Sequence, residues 1–164
     1  MNILTLYNTD NQPYGFCLVL AFVALLALGC RSALMLSEPP TLQRDQEWQL
    51  VEMQGRKIKS GTAPIILVFN PEAGTLRGRM ACNTYNADFA LAPLTVEAHS
   101  PQQWCSLTVS GLESTAVQCP EGVMNDEVRY LAKLRQASQL ALADAGNTLI
   151  IGNRNKPLLV FELK

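Results

Sequence analysis

Short apolar runs separated by turn residues dominate the chain from residue 47 onward. Residues 48–53 alternate between two faces, which is typical of a half-buried strand. Residues 64–69 form a short run rich in isoleucine and valine, as in a buried strand, and residues 70–74 predict a hairpin loop after it. The same criteria predict the remaining strands at residues 75–80, 85–91, 94–98, 140–142, 148–151 and 158–163. The pattern therefore favours an antiparallel, mostly β domain.

One segment, residues 120–135, has the period of a helix. Its apolar residues fall close to one face, and they are Val123, Met124, Val128, Leu131 and Leu134. Asp126 and Glu127 stand in the first turns, while Lys133 and Arg135 stand in the last, an order that suits the helix dipole. We therefore interpret the two carboxylates as charges of the helix N-terminus, not as an acid–base pair. One helix added to the strands predicts an α+β fold.

The N-terminal part of the chain has the pattern of an export signal. Residues 16–29 carry no charge, but fourteen residues are fewer than the roughly 20 that a bilayer-spanning helix needs. The run ends at Gly29 and Cys30, which resemble a lipoprotein box, where the cysteine thiol receives a diacylglycerol. We predict a signal peptide over residues 1–29 and lipidation of Cys30. A plain membrane anchor or a buried helix is the alternative, because residues 1–14 lack lysine and arginine.

The segment after Cys30 predicts a tether over residues 30–46, followed by one globular domain over residues 47–164. Pro39 and Pro40 exclude a helix or a central strand at that point. Arg31 follows the cysteine directly, without the aspartate that retains lipoproteins at the inner membrane. We therefore expect a lipid-anchored protein of the cell envelope, at the periplasmic face of the outer membrane if the host is Gram-negative.

The charge of the chain is nearly balanced, with 13 basic and 14 acidic residues. Such a balance provides no field that would steer nucleic acid to the surface, and no basic run is present. We expect no nucleic-acid partner, no cofactor and a monomeric protein.

Two kinds of reactive site depend on His99, the only histidine. It could join Cys82, Cys105 and Cys119 in a zinc site, but the short ligand pairs of structural zinc sites are absent. It could instead activate Cys105 as a nucleophile, yet nothing around Cys105 resembles a protease or transferase motif. We predict neither a metal site nor a catalytic site, and we expect that the protein is not an enzyme.

Several motifs in a fixed order resemble the META (HslJ-like) domain family. The residues that carry the resemblance are Trp48 in the first strand, Gly78, Cys82, Asn83 and Tyr85 in the centre, and Thr115 and Cys119 before the helix. The resemblance extends from about residue 47 to residue 161. It implies a compact, barrel-like β domain with one helix and an envelope role linked to stress or antibiotic tolerance. It implies no established enzymatic activity.

The resemblance also suggests roles for single residues. It implies a disulfide between Cys82 and Cys119 with Cys105 free, and the alternative is three buried, reduced thiols. Asn83 is expected to satisfy a loop backbone, although it could line a ligand groove. Tyr85 and Trp104 could form a ligand platform, but Tyr85 is expected in the core, and Trp104 is expected to be exposed in a long loop.

We therefore predict a non-catalytic envelope lipoprotein whose partners are the membrane, through its lipid, and an envelope protein or small ligand. One alternative is an inhibitor of a periplasmic or host hydrolase that presents the loop 97–111. Another is a carrier of a small molecule or lipid inside a barrel cavity. An enzyme would depend on His99.

Overall fold

The computed structural model describes residues 34–59, 63–97 and 102–164. These residues belong to one compact unit, Leu34–Lys164. The predicted signal peptide, Cys30 and His99 therefore lie outside the described residues. No helix within the described ranges is long and apolar enough to cross a membrane.

The described residues contain eleven strands and one α-helix. The strands are β1 (Leu34–Ser37), β2 (Glu47–Met53), β3 (Arg56–Lys57), β4 (Ile66–Asn70), β5 (Thr75–Arg79), β6 (Thr84–Ala92), β7 (Leu94–Glu97), β8 (Cys105–Ser114), β9 (Gln139–Ala143), β10 (Thr148–Asn153) and β11 (Lys156–Leu163). The helix α1 spans Glu121–Gln136, and a short 3-10 turn, Asp144–Gly146, joins β9 to β10. The predicted α+β class is confirmed.

Eight of the strands form a closed antiparallel ring. The order is β2, β4, β5, β6, β8, β9, β10 and β11, and β11 pairs again with β2. Phe161 lies opposite Leu50 in that closing pair, and Leu163 lies opposite Trp48. Strand β3 pairs antiparallel with the end of β2, while β1 and β7 form a separate two-stranded sheet. The ring with its single helix matches the predicted barrel-like domain.

The interior of the ring is filled by side chains. Its largest fully buried residues are Trp48, Phe69, Phe161, Leu67, Leu76, Leu140, Leu149, Ile151, Leu134 and Tyr130, and all of them belong to the main core cluster. Alternation decides which residues point inward, so that Trp48 and Leu50 of β2 are buried while Gln49 between them is less so. Tyr130, Leu131 and Leu134 bring one face of α1 into the same core. The helix is therefore held by burial of its apolar stripe.

A second, smaller cluster packs on the opposite face of β9 and β10. Trp104, Ala141 and Ile150 form it, and Ile150 lies between two residues of the main core. Trp104 is only 1 % exposed, so the predicted exposure of this residue is wrong. Its ring lies against Gly152, where an added Cβ atom would come within 2.8 Å of the ring. The loop that carries Trp104 is thus anchored to the outside of the ring.

Two regions differ from the predicted elements. Strand β8 occupies Cys105–Ser114, so the predicted loop over residues 97–111 is wrong from residue 105 onward. The alternation in β8 is hidden by serine, threonine and glycine, and only Cys105 and Leu107 are fully buried. The segment predicted as a tether, residues 30–46, also contains regular structure. Its strand β1 pairs with β7, and its residue Leu42 joins the core.

Candidate functional site

The motif residues converge where the turn between β5 and β6 meets the start of α1. Residues 80–83 form the turn, and residues 115–119 lead from β8 to the helix. Asn83 and the Cys82–Cys119 disulfide connect these two segments, and Glu127 connects the turn to α1. We call these residues, together with Thr115, the clamp.

Asn83 is the centre of the clamp and is only 7 % exposed. Its Nδ2 donates to Glu127 Oε2 at 2.7 Å and to the Val117 carbonyl at 3.4 Å. Its Oδ1 accepts the Thr115 hydroxyl and the Val117 N–H, each at 2.8 Å. The side-chain amide therefore makes all four of its usual hydrogen bonds inside the protein. This geometry fits the predicted role in satisfying a loop backbone and leaves no free amide atom for a ligand.

Glu127 completes the clamp from the helix and is 4 % exposed. Its Oε1 accepts the backbone N–H groups of Cys82 at 2.7 Å and Asn83 at 3.1 Å. Burial by itself raises the pKa of Glu127, but the bonds from the Asn83 side chain and from the two N–H groups lower it, and the net pKa lies below the ordinary value. The carboxylate is therefore ionised at neutral pH and bound by three internal donors.

The interpretation of Asp126 and Glu127 as charges of the helix N-terminus is wrong, because they are the sixth and seventh residues of α1 and the acidic residue of its first turn is Glu121. Asp126 is about half exposed and lies 3.8 Å from Arg129 one turn later. Glu127 instead stands four residues after Val123 and four before Leu131, in the middle of the apolar stripe of α1. A charged residue at the centre of an apolar stripe was the signal that could have identified it.

The Cys82–Cys119 disulfide predicted from the family motifs is present, with a Cα–Cα distance of 6.5 Å. It anchors the residue just before Pro120, where α1 begins without a side-chain cap. Cys105 is free, as the family resemblance implied, and it is also buried, which raises the pKa of its thiol to about 11.

The position of the Tyr85 ring requires glycine at position 78. They lie opposite each other in the β5–β6 register, and a Cβ atom at position 78 would overlap both the Tyr85 ring and the Ile66 carbonyl. The Tyr85 hydroxyl donates to the Ile66 carbonyl at 3.0 Å, so the Tyr130 hydroxyl donates to Tyr85 at 2.5 Å. Burial raises the pKa of both tyrosines. Glycine at position 78 thus lets an aromatic ring connect two strands to α1, which places Tyr85 in the core and not on a ligand platform.

A groove of about 350 Å³ adjoins the clamp between α1 and residues 114–118. Val117, Met124 and Val128 line it and are exposed, Val117 by 56 % and Val128 by 64 %. The polar atoms of the clamp beneath it already have internal partners. The groove therefore offers apolar surface and no reactive group.

The structure bears on the zinc site, the hydrolase inhibitor and the carrier that the sequence left as alternatives. The disulfide uses two of the three thiols that the predicted zinc alternative required. Within the described residues, no three His, Cys, Asp or Glu side chains come together in a way that could hold a metal ion. The loop proposed for a hydrolase inhibitor contains β8 from residue 105 onward, and core side chains fill the ring interior that a carrier would need.

Comparison with solved structures supports the fold. One structure determined by NMR is 21 % identical over 73 % of this chain and 90 % of its own, with a TM-score of 0.51. A second NMR structure, of a protein from Burkholderia xenovorans, is 19 % identical over 78 % of this chain and 94 % of its own, with a TM-score of 0.52. At these identities the likeness concerns the fold alone.

Comparison with known sequences gives the family. No curated protein matches the chain significantly. The family model of the META domain matches residues 40–164, a range that contains the ring, α1 and every residue of the clamp. The chain therefore belongs to the META domain family.

Proposed function

We propose that this protein is a non-catalytic lipoprotein of the cell envelope, anchored through Cys30, whose META domain binds an envelope component under stress. The observation that carries the proposal is the Cys82–Cys119 disulfide. Disulfides persist in oxidising compartments such as the periplasm and are rare in the cytosol. In an exported protein, Cys30 at the end of the uncharged N-terminal run would be the site of lipidation, which would retain the domain at a membrane.

The non-catalytic part of the proposal is supported by what the family motif residues do. Asn83 and Thr115 form hydrogen bonds within the clamp. Tyr85, packed on Gly78, connects the strands to α1, and Trp48 fills part of the core. A catalytic acid, base or nucleophile needs an atom within reach of a substrate. Each of these motif side chains is committed to internal bonds or packing, so their role is to build the domain.

The test is a peptide mass map, without reduction, of the full chain isolated from a membrane fraction. We expect an acylated N-terminal Cys30 and one linked peptide pair that contains Cys82 and Cys119. Cys30→Ala should abolish the acyl mass and release the protein from the membrane. Cys17→Ala, which changes the other cysteine of the N-terminal segment, is the matched control and should leave both unchanged. An intact Met1 N-terminus with reduced thiols would refute the proposal.

The stress role has a separate test in cells. A strain that lacks the protein should tolerate envelope-directed antibiotics less well than its parent. The wild-type chain should restore tolerance, and Cys30→Ala should not, because an unanchored domain leaves the membrane. Full restoration by Cys30→Ala would show that the function does not need the anchor.

A further inference from the structure

A groove of about 690 Å³ separates the β2–β3 hairpin from α1, on a different part of the domain surface from the clamp groove. Four of the chain's 13 basic residues line it, namely Arg56, Lys57, Lys59 and Arg129. Asp126 is the single acidic residue of the lining. On a chain with a formal net charge of −1, the groove is thus a local concentration of positive charge.

The floor of this basic groove is apolar. Leu50 and Ile65 are buried members of the main core, and Met53 and Ile58 pack against them with part of their surface exposed. Positive side chains above an apolar floor differ from an ordinary solvated charged face, which has no concave apolar surface. The combination suits a ligand with an anionic head and an apolar portion.

The basic side chains stand on a well-defined backbone. Gln54 and Gly55 join β2 to β3 with positive φ values of 51° and 75°, as in a two-residue hairpin turn. The Gln54 N–H donates to the Leu158 carbonyl, and the Ile58 N–H donates to the Val51 carbonyl, both at 2.8 Å. The hairpin is therefore fixed to the ring on both sides of Arg56 and Lys57, which limits the ordering that binding requires.

The cations of the basic groove are available for a ligand. Arg56, Lys57 and Lys59 make no ion pair with any described residue, and Arg129 meets Asp126 only at 3.8 Å. Elsewhere on the domain, three basic side chains have closer carboxylate partners, in the pairs Arg44–Glu72, Arg77–Asp45 and Lys164–Glu47 at 2.8 to 3.1 Å.

A second groove, next to the basic groove, differs from it in charge. It has a volume of about 510 Å³ and shares Lys57 and Lys59, but Glu52, Asp144 and Glu162 also line it. The lining of this second groove holds three carboxylates against two lysines, so it has no excess of positive charge. Of these two grooves, the basic groove is the one that combines an excess of cations with two guanidinium groups, whose planar donors match phosphate oxygens.

We propose that the basic groove binds a phosphate-bearing amphiphile, with the phosphate held by Arg56, Lys57, Lys59 and Arg129 and the apolar portion on Met53 and Ile58. The phosphate belongs either to the headgroup of an anionic lipid or to a soluble phosphorylated amphiphile. The site does not depend on lipidation of Cys30, so its test is independent of the tests of the proposed function.

Lysine footprinting of the full chain in phosphatidylcholine nanodiscs tests this site. The rate of acetylation of each lysine is measured by mass spectrometry with hexyl phosphate, with inorganic phosphate and with hexanol. We expect hexyl phosphate to protect Lys57 and Lys59 but not Lys133 or Lys156, which lie outside the basic groove. Inorganic phosphate should protect them only at higher concentration, and hexanol should not protect them.

Variants show whether the named side chains bind the ligand. Arg56→Gln should raise the concentration for half-protection about fivefold, the effect expected for one cation facing an anionic headgroup. Arg154→Gln, outside the basic groove, should leave it unchanged. Equal protection of all four lysines, an unchanged half-protection in Arg56→Gln, or equal action of inorganic and hexyl phosphate would each overturn the proposal.

The source of the phosphate is settled by a second arm. Replacing part of the nanodisc lipid by phosphatidylglycerol, with no hexyl phosphate, protects Lys57 and Lys59 if the ligand is a lipid headgroup. Protection by hexyl phosphate without protection by phosphatidylglycerol identifies a soluble amphiphile. Both results support the site.

Discussion

Replacing Glu127 by glutamine tests whether the clamp stabilises the domain through a buried carboxylate. The carboxylate accepts three hydrogen bonds of 2.7, 3.1 and 2.7 Å, two from backbone N–H groups and one from the Asn83 side chain. A glutamine oxygen can still accept the two backbone bonds. Its amide nitrogen would then face the Asn83 Nδ2, and two donors would meet where a donor and an acceptor meet now.

The magnitude follows from the bond that is lost. A hydrogen bond to a charged group contributes about 1.5–3 kcal/mol, and the opposed donors leave a buried polar group without a partner. We therefore expect Glu127→Gln to lower the free energy of unfolding by about 2–3 kcal/mol at pH 7. Asp126→Asn is the matched control on the exposed side of the same helix and should change it by less than about 0.5 kcal/mol.

The difference between wild type and Glu127→Gln should depend on pH. Because the pKa of Glu127 is lowered in the folded state, its contribution to stability is fully present above its ordinary value of 4.5 and is lost as the pH falls through the folded pKa. Protonated Glu127 resembles glutamine, so the two proteins should become similar in stability at acidic pH.

Urea unfolding followed by tryptophan fluorescence at pH 7 and at successively lower pH measures this difference. Trp48 and Trp104 are both buried, so unfolding exposes both fluorophores. The reasoning is refuted if the two proteins differ by less than about 0.5 kcal/mol at pH 7, within the range of a surface substitution. It is also refuted if the difference stays constant as the pH falls well below 4.5.

Three further predictions concern other parts of the domain. Gly78→Ala should cost about 3 kcal/mol or more, or prevent folding, because its Cβ overlaps backbone and an aromatic ring, whereas Gly122→Ala, which meets nothing within 4 Å, should not lower thermal stability. Replacing Cys82 and Cys119 together by alanine should lower the free energy of unfolding by roughly 3–4 kcal/mol, since the bond closes a loop of 37 residues, and reductant should then have no further effect on the variant's urea midpoint. Cys105 should resist iodoacetamide at pH 8 in the folded protein and react only after denaturation, because it is buried and its pKa is raised to about 11; rapid alkylation of the native protein would contradict its burial.

Several strands could be predicted because their sequence pattern matches their burial. The apolar runs located β4, β10 and β11 and the alternation located β2, and each of these strands buries alternate side chains in the main core. Strand β8 was missed because its tertiary neighbours, not its composition, make it a strand. It pairs with β6 along most of its length, and a register shift opposite Asn86 and Asp88 together with Gly111 at φ 60° interrupts its alternation.

The clamp shows a similar division. The motif around Cys82 and Asn83 could be located in the sequence, and a turn could be expected there from asparagine alone. The partner of Asn83 could not, because Glu127 is 44 residues away and looks like a helix-terminal charge until the helix is docked. Trp104 was placed wrongly for the same reason, since its burial depends on Gly152 and on the outer face of β9 and β10.

The sequence by itself determined the local features of this protein: most strands, the one helix and the family motifs. These follow from period, turn chemistry and residue type, which act over a few residues. The tertiary structure alone decided that β11 closes the ring on β2, that Glu127 bonds Asn83, and that four basic residues share one groove. Each of these contacts joins residues far apart in the chain, and no local pattern records which distant segments become neighbours when the core is buried.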